Sequence, residues 1–170
     1  MKLPEVFEVL VITLSDRAAS GEYSDQSGPR IRERIELFFR DEQWESGFTM
    51  KLIPDDPQIL RNLIVQGAET YNLIITTGGT GIGPRDITVE TIKPLLSKEI
   101  PGIMEFIRVR YGAEKPNALL SRGIAGIIGK SLIYTLPGSI KAVDEYLNEI
   151  LKTLKHTFLM QYGIDTHQKF

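Results

Sequence analysis

Apolar positions fall into short solid runs separated by stretches of helical period. Val9-Leu10-Val11-Ile12 is nearly continuous, as in a strand buried on both faces. Ser27-Gly28-Pro29 opens a stretch in which Ile31, Ile35, Phe38 and Phe39 recur at helical spacing. Residues 48–53 predict a second strand. Asp56 and Pro57 have the form of an N-cap and a first helical residue, and Ile59, Leu60, Leu63 and Ile64 follow. Leu73-Ile74-Ile75 predicts a third strand. Thr88 is the expected cap of the next helix, with Ile87 and Ile92 placed as a hydrophobic staple. Pro94 should end or kink that helix, because its ring collides with the carbonyl of Glu90. Pro101 starts a further helix, through about Tyr111, and residues 132–136 predict a fourth strand. Pro137-Gly138-Ser139 then turns into a long last helix, with Ile140, Val143, Leu147, Ile150, Leu151, Leu154 and Phe158 along one face. Residues 39–47 read as a loop after a helix, with Trp44 as a packing residue.

Strands alternating with helices predict a three-layer α/β domain, with a mostly parallel sheet and helices on both faces. At 170 residues, with no repeat or linker, the chain reads as a single domain over 1–170. Ligands of such sheets bind beyond the carboxyl ends of the strands. Four polar clusters are expected at that edge: Ser15-Asp16-Arg17, Pro54-Asp55-Asp56, residues 76–86, and Pro137-Gly138-Ser139. A parallel sheet brings all four together.

Composition then narrows the chemistry. The absence of cysteine excludes disulfides, thiolate zinc sites and a cysteine nucleophile. His156 and His167 are too few, and too close to the C-terminus, to suggest a metal cluster. A net charge of −2 lacks the basic footprint of a nucleic-acid binder. An anionic ligand would need backbone N–H groups, helix N-termini and a few arginines. The first residues open no signal peptide, and no apolar run approaches membrane-spanning length. The expectation is a cytoplasmic protein with no membrane partner.

The stretch TTGGTGIGPRD, residues 76–86, carries the strongest chemical signal. It is neither a P-loop nor a dinucleotide fingerprint: Pro84 stands where the first needs lysine and the second glycine. The physics of both still applies. Gly78, Gly79, Gly81 and Gly83 let the backbone approach a ligand closely, so that successive N–H groups can face an anion. Thr76, Thr77 and Thr80 add hydroxyls, and Arg17 and Arg85 are candidate phosphate contacts. A carboxylate such as Asp86 repels phosphate unless a cation lies between, and Mg²⁺ takes oxygen ligands from both. Asp56 is accounted for as a helix cap. Asp55 is not, and neither is Asp86 if Thr88 is the cap, so these two are the candidate metal ligands.

The strings SDRAASGEYSD, LIPDD, LIITTGGTGIGPRDIT and LPGS, in this order and spacing, resemble the molybdopterin adenylyltransferase family of MogA and MoaB. The family is related to the G domains of proteins such as gephyrin. The resemblance runs from about residue 7 to residue 158. It implies an enzyme that binds Mg-ATP and molybdopterin. AMP passes to the terminal phosphate of the pterin, and pyrophosphate leaves. It also implies a homotrimer that hands its product to a molybdate-inserting partner enzyme. The family's two key aspartates fall on Asp55 and Asp86, its loop glycines on Gly78, Gly79 and Gly81 around Thr80, and its first loop on Ser15 and Asp16. Asp55-Asp56 departs from the family's frequent Asp-Glu pair. Ser139 follows Pro137-Gly138 as in many MoaB-type proteins, whereas Arg85-Asp86 is closer to the MogA type. A non-catalytic molybdopterin-binding or scaffolding module is the alternative, and a nucleotide-binding protein for an unrelated substrate is a third.

Overall fold

The computed structural model describes residues 2–164. The strands are β1 (Val6–Leu14), β2 (Glu45–Ile53), β3 (Leu73–Thr77), β4 (Lys98–Glu99), β5 (Ala125–Ile128) and β6 (Ser131–Leu136). They form one sheet in the order β2-β1-β3-β6-β5-β4. β2, β1, β3 and β6 are parallel, while β5 and β4 add an antiparallel edge. The helices are α1 (Asp16–Ala19), α2 (Ser27–Asp41), α3 (Pro57–Thr70), α4 (Thr88–Ile92), α5 (Pro101–Gly112) and α6 (Ile140–Gln161). Short 3₁₀ turns occupy Lys93–Leu95 and Pro116–Leu120.

The central strands alternate between two cores, because successive side chains of a strand point to opposite faces. Phe7, Val9, Val11, Leu73, Ile75, Leu132 and Tyr134 pack under α2, α5 and α6. Leu10, Ile12, Leu14, Ile74 and Ile133 pack under α3 and α4. The expected three layers are therefore present. At the amino end of the sheet, Trp44 stacks on Phe7 at 4.9 Å, and Phe39 and Phe158 lie 6.4 and 6.2 Å away. The 39–47 segment is thus the end of α2, a turn and the start of β2, and Trp44 is a packing residue.

β4 and β5 have no counterpart in the four-strand reading. β4 is two exposed residues, and β5 begins Ala-Gly, too short and too small-chained to give an apolar alternation. α1, a single turn, was also invisible to a periodicity argument. Thr88 is not a cap. Ile87 occupies that place without a side-chain hydrogen bond, and Thr88 is the first helical residue. Its hydroxyl instead donates to the carbonyl of Gly78 at 2.8 Å. Pro94 behaves as expected: α4 stops at Ile92 and the chain tightens into a 3₁₀ turn.

From β1 the chain moves outward to β2, then crosses back beyond β1 to β3. α2 covers one face and α3 the other. The carboxyl ends of β1 and β3 thus flank a topological switch point, where helices on opposite faces leave a crevice.

Candidate active site

The loops after β1, β2 and β3 are laced together by one carboxylate. Asp16 Oδ1 accepts the Asp55 N–H at 2.9 Å, and Asp55 Oδ2 accepts the Asp16 N–H at 3.2 Å. Arg85 donates through Nε at 3.0 Å and a terminal nitrogen at 2.6 Å to Asp16 Oδ2. The Asp55 amide, and then Arg85, hold the Asp16 carboxyl below its ordinary pKa. Asp55 goes the other way. Partial burial raises its pKa, and the neighbouring Asp16 and Asp86 carboxylates add to the rise, against the opposing Asp16 amide and Arg85. Ser15 caps α1 by accepting the Ala18 N–H at 3.2 Å, and its hydroxyl lies 2.7 Å from that of Tyr23.

The glycine-rich loop leaves β3 in a conformation that requires glycine. Gly78 has φ +100° and Gly79 φ +65°. A Cβ at Gly78 would sit 2.3 Å from the carbonyl oxygen of Leu14, and one at Gly79 2.4 Å from Thr88 Oγ1. Gly78 donates its N–H to Leu136 at 3.0 Å, which ties β3 to the end of β6. Asp86 folds back so that its Oδ2 accepts the Gly83 N–H at 2.8 Å. The same oxygen would lie 2.7 Å from a Cβ placed on Gly81.

The threonines are more enclosed than the sequence suggests. Thr76, Thr77 and Thr80 are all buried. Thr77 Oγ1 donates to the Pro137 carbonyl at 2.8 Å. Thr76 Oγ1 has no hydrogen-bond partner among the described residues. It shares a strand face with Ile74, toward the core under α3 and α4.

Beside this loop lies an open cleft of about 450 Å³, lined by Thr13, Ser15, Tyr23, Asp25, Thr77 and Ser139 among others. Ser139 caps α6, accepting the Ala142 N–H at 3.2 Å, so the N-terminus of a 22-residue helix faces the cleft. Gly138 belongs to the same wall, and a Cβ there would lie 3.5 Å from Gly78 Cα. Asp25 holds the start of α2 by accepting from Gly28 N at 3.1 Å and Thr13 Oγ1 at 2.7 Å. Arg17 places its guanidinium 5.3 Å from the centre of the Tyr23 ring. Asp55, Gly79 and Asp86 adjoin this cleft along the same sheet edge and do not line it. The four expected strand ends therefore meet at one edge, as a cleft and a neighbouring carboxylate pair.

Tyr23 and Asp25 belong to the SDRAASGEYSD string, where their residue types alone carry no signal of a place in the cleft. Arg122, whose side chain reaches the carbonyl of Gly81 at 2.7 Å, had no sequence signal. Among the described residues, His156 is exposed on α6, and His167 lies outside them.

The carboxylates fit a hard cation shared with a ligand. Asp55 and Asp86 each use Oδ2 to accept a backbone N–H, and among the described residues Oδ1 of neither carries a hydrogen bond. No group of three or more His, Asp or Glu side chains among the described residues could hold a metal by itself. Oxygen donors from an anionic ligand would complete the shell, as Mg²⁺ favours.

Fold and edge together define a doubly covered α/β domain with a polar, glycine-bordered cleft at the switch point of its sheet. Residues 10–156 match the family described as the probable molybdopterin binding domain, and the chain belongs to that family. It is 37% identical over 162 residues to the molybdopterin adenylyltransferase of Pyrococcus furiosus, covering 90% of this chain and 92% of that protein. It is 41% identical over 162 residues to gephyrin of Dictyostelium discoideum, covering 91% of this chain but only 22% of that much longer protein. The solved structure of the molybdopterin biosynthesis Mog protein from Mycobacterium ulcerans superposes with a TM-score of 0.82 at 34% identity, covering 93% of this chain and 98% of that one.

Proposed function

We propose that the protein is a molybdopterin adenylyltransferase of molybdenum cofactor biosynthesis. A terminal phosphate oxygen of molybdopterin attacks the α-phosphorus of ATP. The new P–O bond forms as the bond to the β-phosphate oxygen breaks, and pyrophosphate leaves with the electron pair. The observation that carries this reading is the pairing of a glycine backbone cradle with two carboxylates that each keep one oxygen free. Such chemistry needs no protein nucleophile, only positioning and charge neutralisation.

Each part has a task. The Gly79–Gly81 backbone and the N-terminus of α6 bind phosphate oxygens, with Gly78 anchoring the loop to β6. Asp55 and Asp86 would hold Mg²⁺, which supplies neutralisation of the charge gathering on pyrophosphate. Asp16 and Arg85 keep Asp55 and the glycine loop in register. Ser15, Thr77 and Ser139 line the cleft in which the second substrate is positioned. Thr76, buried behind it, supports the strand rather than the ligand. The reading extends to a cytoplasmic homotrimer that passes its product to a molybdate-inserting enzyme. Exposed Phe106, Val109, Leu119 and Leu120 around α5 support association of copies.

The test is incubation with ATP, Mg²⁺ and molybdopterin. Formation of adenylylated pterin and pyrophosphate is expected. Tight binding of both ligands with no pyrophosphate released would overturn the enzyme reading in favour of a non-catalytic binding module.

A further inference from the structure

Arg122 lies 36 positions beyond Asp86, between the 3₁₀ turn at Pro116–Leu120 and β5. Its backbone N–H donates to the Thr80 carbonyl at 2.9 Å. Nε donates to the Gly81 carbonyl at 2.7 Å, and a terminal nitrogen lies 3.4 Å from the carbonyl of Asp86. The remaining edge of the guanidinium pairs with both oxygens of Glu90 on α4. One side chain thus grips the glycine-rich loop at both shoulders and pins it to the helix that follows. Most of the five N–H donors of an arginine are consumed by these contacts, so little remains for a phosphate. The carbonyls of Thr80 and Gly81 are drawn toward Arg122, away from an anion they would otherwise repel. The planar fork is essential to this geometry, because its donors diverge in fixed directions and an ammonium offers a single point.

We propose that Arg122 is a positioning residue for adenylyl transfer, holding the glycine loop closed so that its N–H groups and Asp86 stay fixed relative to the transferring phosphate. This rests on the adenylyltransferase reading. Glu90 completes the device by fixing the guanidinium plane, and the ion pair lowers the Glu90 pKa while raising that of Arg122.

The test compares Arg122→Gln and Arg122→Lys with the unmodified chain, in steady-state kinetics and in hydrogen exchange followed by mass spectrometry. Both variants should lose about 10- to 100-fold in kcat with little change in KM, since a small misplacement of a reacting group costs that much. Amides of residues 78–88 should exchange faster, while those of β1 and β6 keep their rates. Wild-type kcat in Arg122→Gln would overturn the proposal. So would full rescue by lysine, which would reduce the role to charge, and so would unchanged exchange in the loop. If the unmodified chain makes no adenylylated pterin, the enzyme reading fails, and the exchange data still decide whether Arg122 holds the loop. If the glutamine variant does not fold, the lysine variant carries both measurements.

Discussion

Replacing Gly78 with alanine adds one methyl group at the point where β3 opens into the glycine loop. Two costs are separable. The first is conformational: φ of +100° forces an L side chain into a region that costs about 1–2 kcal/mol. The second is steric. The new Cβ would meet the Leu14 carbonyl oxygen at 2.3 Å, and the backbone of a strand held in register with its neighbour cannot rotate away as a side chain can. Forcing a methyl group into a filled site costs about 1–3 kcal/mol. The sum is about 2–5 kcal/mol, a large share of the roughly 5–15 kcal/mol that holds a domain folded. Gly21 and Gly102 supply the controls. Gly21 also has positive φ, +84°, but a Cβ there meets nothing within 4 Å. Gly102, near the start of α5, is equally open and carries no positive φ. Urea denaturation at one fixed protomer concentration should rank the alanine variants in that order, with Gly78→Ala lowest and Gly102→Ala neutral or slightly stabilised. The gap between Gly78→Ala and Gly21→Ala measures the clash alone. Equal stabilities for those two would refute the claim that the end of β1 packs directly on the loop.

Two other perturbations probe the carboxylates. Asp55→Asn and Asp86→Asn keep an acceptor for the Asp16 and Gly83 amides but remove the charge. Each should cut turnover by at least ~10² while pterin affinity, read by titration, stays close to wild type. Unchanged turnover in both would sink the metal assignment. The acid limb of stability should depend on Asp16, whose folded pKa lies below its ordinary 3.8. Its stabilisation is present above that ordinary value and disappears as pH falls through the lowered one. Asp55 has the opposite sign: its raised pKa favours the fold at low pH, and that contribution is lost as pH rises through the raised value. Urea midpoints against pH should therefore fall less steeply in acid for Asp16→Asn than for wild type, and parallel curves would refute the pairing.

The sequence made the sheet edge legible because each central strand is a solid apolar run that stops abruptly at polar residues. Leu73-Ile74-Ile75 followed by 76–86 is the clearest example. Asp55 stands out because Asp56 caps α3, whereas Asp86 stands out only with Thr88 as the cap of α4, a place the structure gives to Ile87. The structure gives each a local hydrogen-bonding task as well: Asp55 accepts from the first residue of α1, and Asp86 closes its own turn. The Asp55 contact depends on two loops meeting across neighbouring strands, which periodicity does not encode. β5 escaped because Ala125-Gly126 carries too little side chain to signal burial. Arg122 escaped for another reason: its partners lie 32 to 42 residues earlier, and only the closed sheet brings them within reach. Thr88 has the residue type of a helix cap, but the Gly78 carbonyl, ten residues earlier, captures its hydroxyl.

The aromatic cluster at the amino end of the sheet has an optical consequence. Trp44 is the chain's single tryptophan, and it sits against Phe7 where β1 begins. β1 runs nine residues, Val6 to Leu14 at the cleft, about 26 Å at the rise of an extended strand. The protein therefore carries a built-in fluorophore at the pole opposite the cleft. Its emission follows the docking of α2 and α6 on the sheet. Folding and ligand binding can be read in the same sample through separate windows, the first by tryptophan emission and the second by the absorbance of the pterin.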